Sequence, residues 1–161
     1  SGLYFEGGQS TCNNVKIYNC KGAGVTLTNN ANVKCVNVNI DECKIGIMLS
    51  GTGEFYNVSV SNCSEGLYVF GGSATLYGNE TRFEDNVTGI AIGYKGKVYL
   101  DERLSKLQNG RVLRNGATSK QIVKFGGSGG SKPSGGSGGS GGSSGGSKPG
   151  YSFGGYVLFR F

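Results

Sequence analysis

Short alternations of apolar and polar residues, each opened by a glycine, recur along most of the chain. The segments are Gly2-Leu3-Tyr4-Phe5, Gly24-Val25-Thr26-Leu27, Gly46-Ile47-Met48-Leu49, Gly66-Leu67-Tyr68-Val69, Gly89-Ile90-Ala91-Ile92 and Gly110-Arg111-Val112-Leu113. Their glycines are separated by 22, 22, 20, 23 and 21 residues. A period of two puts the first and third residues after each glycine on one face, the mark of a strand with one buried side. Arg111 alone departs from an apolar residue at these positions.

A second strand precedes the glycine, through Val15/Ile17, Val38/Ile40, Val58/Val60 and Thr81/Phe83, with Leu104 continuing it weakly. A third follows it, through Val33/Cys35, Phe55, Ala74/Leu76 and Val98/Leu100. Three short strands in a repeat of about 22 residues make one coil, and one coil cannot bury its own apolar face. Stacking at about 4.8 Å per coil turns the repeat into a rod of roughly 25 Å with a continuous core. The pattern therefore predicts an all-β chain wound as a single-stranded parallel β-helix of about five to six coils.

Cysteines follow the same register. Cys20, Cys43 and Cys63 sit shortly before repeat glycines, and Asn86 takes that place in the next coil. Cys12 and Cys35 form a second ladder, each eight residues before Cys20 or Cys43. A Cys12–Cys35 disulfide is geometrically open to stacked coils. Reduced thiols serving as small apolar fillers are the expected state, which suits assembly in a reducing cytosol.

The repeat also bounds the domains. Residues 1–125 form the β-helix, 126–150 hold only Gly, Ser and two Lys-Pro pairs, and 151–161 are aromatic and apolar. The middle segment reads as a flexible linker spanning about 25–30 Å as a random coil. In the tail, Val157, Phe159 and Phe161 alternate with Tyr156, Leu158 and Arg160. That pattern predicts a strand, with Phe153, Tyr156, Val157, Phe159 and Phe161 capping an open coil end or anchoring the rod to another subunit.

Charge is divided along the chain: residues 1–102 hold seven Lys/Arg and all ten acids, and 103–161 hold nine Lys/Arg and no acid. The basic residues are not interleaved with stacking aromatics, so nucleic acid is not an expected partner. No apolar run approaches a membrane span. With no His in the chain, Ser-His-Asp catalysis and histidine-bound metals are excluded, and no cofactor or metal is expected.

Coils such as Val58-Ser59-Val60-Ser61-Asn62-Cys63-Ser64-Glu65-Gly66-Leu67 resemble the pectate-lyase-like superfamily of right-handed parallel β-helices. That superfamily includes viral tailspikes and attachment spikes, polysaccharide lyases, glycosidases and autotransporter passengers. The resemblance implies a right-handed coil and, as the leading expectation, a structural or attachment module of a viral spike or fibre. Other virion or surface protein subunits, host-cell glycan and a homotrimer are the partners it implies, on a virion surface or outside the cell. A carbohydrate-active enzyme and a bacterial adhesin fragment are its alternatives.

Lyases of that superfamily gather calcium-binding acids beside an Arg or Lys base, and its hydrolases use close aspartates; acids are sparse here. Asp41/Glu84 and Glu42/Asp85 occupy equivalent faces two coils apart, about 10 Å, near the upper end for an inverting glycosidase. Ser61 and Asn62 interrupt the two columns, and turn chemistry explains these acids without catalysis. Asp101-Glu102-Arg103 is expected to be a turn with local ion pairing. Tyr4, Tyr68 and Tyr56 are candidate sugar-stacking or interface residues, though strand propensity also accounts for them. Of the sequons at Asn57, Asn62, Asn79 and Asn86, Asn79 is the first expected to accept a glycan.

Overall fold

The structure is a computed structural model describing residues 1–104, 111–113, 117–126 and 157–160, with backbone alone for 111–113 and 157–160. It is an all-β solenoid in which every strand pairing is parallel. One sheet holds the glycine-led strands Leu3–Phe5, Ala23–Leu27, Ile45–Leu49, Glu65–Val69, Thr88–Ile92 and Arg111–Leu113, stacked in chain order. Leu3, Val25, Ile47, Leu67, Ile90 and Arg111 stand in one register, so the six predicted repeats align residue for residue.

Steric exclusion explains the glycine. A Cβ at Gly24 would lie 2.8 Å from the Gly46 carbonyl oxygen and 2.6 Å from Ile40 Cγ2. At Gly66 it would lie 2.6 Å from the Gly89 oxygen and 2.8 Å from Phe83 Cδ1. Here the next coil lies so close that an inward side chain from one of its strands fills the space a Cβ would need.

The other sheet is bent lengthwise. One half, the groove half, is built from the C-terminal parts of Gly8–Tyr18 and Ala31–Asp41 with Ser59–Ser61 and Arg82–Glu84. The second, the aromatic half, is built from the N-terminal parts of the same long strands with Thr52–Tyr56, Ser73–Tyr77, Lys97–Asp101 and Ile122–Phe125. The pattern read as separate short strands in the first two coils is thus one 11-residue strand in each. These long strands change direction at Asn14 and Asn37, where φ is 54° in both, followed in the next coils by Asn57 (53°) and Gly78 (92°).

Asparagine tolerates this left-handed backbone better than most residues and can bond to its neighbour. The Asn37 amide donates to Asn14 Oδ1 at 3.1 Å, and the Asn57 amide donates to Asn37 Oδ1 at 3.5 Å. A second left-handed corner, Asn19, Glu42, Asn62 and Asp85 (φ 52–56°), returns the chain to the glycine sheet.

Inside, the columns conserve volume between coils. Gly53 stands between Val33 and Ala74, and Phe55 between Cys35 and Leu76. The Phe55 ring occupies the space beside Gly53, 2.5 Å from where a Cβ would be. Thr81 takes an inward Val position and satisfies its hydroxyl, accepting from Val58 N–H at 3.2 Å and donating to the Tyr77 carbonyl at 2.6 Å. Full burial of each Leu, Ile, Val or Phe stabilises by about 1.5–3 kcal/mol.

Two end features escaped the sequence pattern or refine it. Ile122–Phe125 adds a further strand beside Lys97–Asp101. Just before it, the Gln121 amide donates to the carbonyls of Gly93 and Tyr94, both at 2.9 Å, and of Gly96 at 2.5 Å. At the opposite end, Val157–Arg160 pairs with the first long strand, Val157 beside Val15 and Phe159 beside Ile17. The tail strand therefore extends the N-terminal edge of the groove half as one more parallel strand. Residues 127–150 of the expected linker, and Phe153, Tyr156 and Phe161, lie outside the described residues.

Gly46→Ala should destabilise the protein by about 1–3 kcal/mol in urea melts, through overpacking; an unchanged midpoint would refute the steric account. Deleting 151–161 should uncover a strand edge and promote self-association, read by light scattering. A strictly monomeric deletion variant of unchanged thermal stability would refute the capping role.

Candidate functional site

The outward residues of the groove half form two rows along the rod. Lys16, Asn39, Ser59 and Arg82 occupy one, and Tyr18, Asp41, Ser61 and Glu84 the other. Alternation dictates this, because their neighbours Val15/Ile17, Val38/Ile40, Val58/Val60 and Phe83 point into the core. With Asn62 and Asp85 from the adjoining corner, the rows line an open groove of about 430 Å³.

Its polar atoms are held in place. Asp41 Oδ1 accepts from the Ser61 hydroxyl and from the Asn62 amide, both at 2.8 Å. The Arg82 Nε–H donates to Ser59 Oγ at 3.1 Å, and an Arg82 Nη lies 3.8 Å from Glu80. Donors and acceptors thus repeat at roughly the 4.8 Å strand spacing, and both charge signs are present. Such a surface can hydrogen-bond a polar ligand that itself repeats along the rod.

Three of the four candidate carboxylates line this groove: Asp41, Glu84 and Asp85. Asp41 and Glu84 stand in one row with Ser61 between them, two strand spacings or about 10 Å apart. Glu42 is exposed and belongs with Asp85 to the left-handed corner.

The candidate tyrosines are not brought together. Tyr4 and Tyr68 share an outward row of the glycine sheet, but Thr26 and Met48 separate them. Tyr4 is 57% exposed, and the Tyr68 ring packs 5.8 Å from Phe70. Tyr56 lies on the aromatic half, its ring 5.1 Å from that of Tyr77. Asp101 is buried and ion-paired with Arg103 at 2.6 Å. Among the sequons, Asn86 is buried, accepting from Cys63 N–H and donating to the Val60 carbonyl, both at 3.0 Å, while Asn62 and Asn79 are exposed.

All five cysteines are buried and free. Cys43 and Cys63 donate to the carbonyls of Asp41 and Ser61 at 3.4 and 3.1 Å. Burial, then the neighbouring Cys43, pushes the Cys20 thiol up to about 11. The neighbouring Cys63 thiol, then burial, pushes Cys43 up, and the neighbouring Cys12 thiol, then burial, pushes Cys35 well up. Among the described residues no three His, Cys, Asp or Glu side chains gather as a metal site, and no helix is long and apolar enough to cross a membrane.

Lys16, Tyr18, Asn39, Ser59 and Arg82 were not singled out from the sequence. Their signal was present in the aligned tetrads Val15-Lys16-Ile17-Tyr18, Val38-Asn39-Ile40-Asp41, Val58-Ser59-Val60-Ser61 and Thr81-Arg82-Phe83-Glu84, whose second and fourth residues are all polar or amphipathic. The family described as "Right handed beta helix region" matches residues 1–119. No curated protein and no solved structure matches the chain.

The native protein should resist a thiol-specific aromatic disulfide reagent at pH 8, and all five thiols should react after denaturation. Rapid labelling of the folded protein would contradict their burial. Cys20 keeps its proton in the folded state after the unfolded chain has lost it, so its stabilising contribution is complete below pH 9.0 and is lost as pH rises toward 11. Urea melts across that window should show the decline.

Proposed function

This chain belongs to the right-handed β-helix family, and on that premise we propose that it is a structural attachment module of a viral spike or fibre. The solenoid is the rigid rod of this module, and the groove of Lys16, Tyr18, Asp41, Ser61, Arg82 and Glu84 is its glycan contact. One observation supports the reading above others: polar side chains recur in register along an open groove on a stiff sheet. An extended polysaccharide presents hydroxyls to such rows, and rigid donors avoid the entropy of ordering loops on binding. The tail strand supports the attachment side, since a tethered strand on an edge is also a means of joining subunits. A homotrimer on a virion surface or outside the cell completes the proposal.

A second reading is a carbohydrate-active enzyme. It is favoured by Asp41 and Glu84 sharing one row of the groove two strand spacings apart, about 10 Å, just beyond the roughly 6.5–9.5 Å of inverting hydrolases. Against it, Asp41 is engaged by Ser61 of its own sheet and by Asn62 of the adjoining corner.

Binding of the full chain to a panel of surface polysaccharides tests both readings. The attachment reading expects a bound glycan, no release of reducing or unsaturated ends, and at least roughly tenfold weaker binding in Asp41→Ala/Arg82→Ala, the loss of about 1.4 kcal/mol. Turnover abolished by Asp41→Asn or Glu84→Gln would establish the enzyme instead. Absence of binding to the whole panel by folded protein would overturn the glycan role of the groove.

A further inference from the structure

A second cleft lies on the aromatic half, around the corner from the groove. Tyr56, Tyr77, Gly78, Asn79, Asp101, Arg103 and Phe125 enclose about 260 Å³. Tyr56 pairs with Tyr77, Leu76 with Leu100, and Asp101 with Phe125, so Tyr56, Tyr77, Asp101 and Phe125 follow one another along a single row. Its floor is therefore aromatic at both ends, with an ion pair between them.

The geometry of that ion pair is specific. The Asp101 side chain is 3% exposed, while that of Arg103 is 64% exposed. Arg103 spends its Nε–H on Asp101 Oδ1 at 2.9 Å and an Nη2–H on Oδ2 at 2.6 Å, and its backbone N–H also donates to Oδ1 at 3.0 Å. A guanidinium has five N–H groups in a fixed plane, so three remain to donate away from the carboxylate. Arg103 is thereby a pre-oriented donor fork on the cleft wall. The aromatic part is also braced: the Tyr77 hydroxyl donates to Glu54 Oε2 at 3.1 Å, and the Tyr56 and Tyr77 rings meet at 5.1 Å with a 53° tilt.

We propose that this cleft is a subsite for a neutral pyranose ring, independent of the groove on the neighbouring half. An apolar C–H face packs on the tyrosine rings, and adjacent hydroxyls accept from the free guanidinium N–H groups. Size agrees, because the cleft falls just under the roughly 300 Å³ at which pockets admit drug-sized ligands. Charge argues for a neutral ring over an acidic one. Asp101 cancels the Arg103 charge locally, so a uronate carboxylate finds little net attraction and sits near a buried like charge. A neutral hydroxyl pair uses the same directional donors without that repulsion.

Amide-resolved NMR of the full chain, titrated with neutral methyl pyranosides and with methyl glucuronide, tests the proposal. Expected are shifts centred on Gly78, Asn79, Glu102 and Phe125 with at least one neutral glycoside, and weaker or no shifts with the uronate. Tyr56→Ala and Arg103→Lys, which keeps a positive charge over Asp101 but loses the donor fork, should each weaken binding at least fivefold while leaving the rest of the spectrum in place. Asp41→Ala should leave this binding unchanged, which separates failure here from failure of the groove. Shifts with the uronate alone, shifts elsewhere on the rod, no shifts with any glycoside, or full binding in both cleft variants would overturn it.

Discussion

The rest of the molecule depends on how closely one coil can approach the next at the glycine turn. At Gly24, Gly46 and Gly66 the backbone carbonyl of the following glycine stands within 2.8 Å of where a Cβ would be. An inward side chain from the next coil, Ile40, Val60 or Phe83, presses on the same point. Without a side chain there, the glycine sheet can lie at hydrogen-bonding distance along its whole length, and the inward residues of all three faces can meet. With one, the corner must open and the stack loses its uniform spacing. Every other regularity, including the straight outer rows, follows from that uniformity.

The remaining corners are managed by hydrogen bonding instead of exclusion. Asn14, Asn37 and Asn57 adopt left-handed backbone and link their amides from coil to coil. Where a Cys is replaced at the second corner, Asn86 supplies two buried bonds to the coil beneath. Thr81, at an inward valine position, accepts from Val58 N–H of the coil beneath and donates to the Tyr77 carbonyl of its own coil. Each polar intrusion into the core is thus matched by backbone groups already placed by stacking, which is why it does not disrupt the column.

Uniform stacking also converts sequence repetition into ligand geometry. Polar or amphipathic residues placed between two inward positions recur along the rod at the strand spacing, producing the groove of Lys16, Asn39, Ser59 and Arg82 beside Tyr18, Asp41, Ser61 and Glu84. The aromatic cleft arises differently. It needs Gly78 and Asn79 at the corner, and Phe125 from a strand that joins the stack last. One surface is periodic and the other is local, so the two suit different ligand shapes.

The sequence by itself determined the coil register, the inward residues and the cysteine ladders, because a strand's period of two and a glycine every coil leave one consistent alignment. It also showed Asn86 to be an inward replacement, and its alternation marked the tail as a strand. Only the tertiary structure decided which outer residues face one another. Tyr4 and Tyr68 have matching repeat positions yet are separated by two coils, whereas Tyr56 and Tyr77 stack because their strands are neighbours. The local ion pairing expected at Asp101-Glu102-Arg103 is present, but Asp101 is buried beneath the guanidinium of Arg103. Ile122–Phe125 lacks the repeat's glycine and could be seated only by the Gln121 bonds and the open edge beside Lys97–Asp101. Periodicity specifies what lies along a strand, and contacts between strands of unequal coil length depend on how the corners absorb the difference.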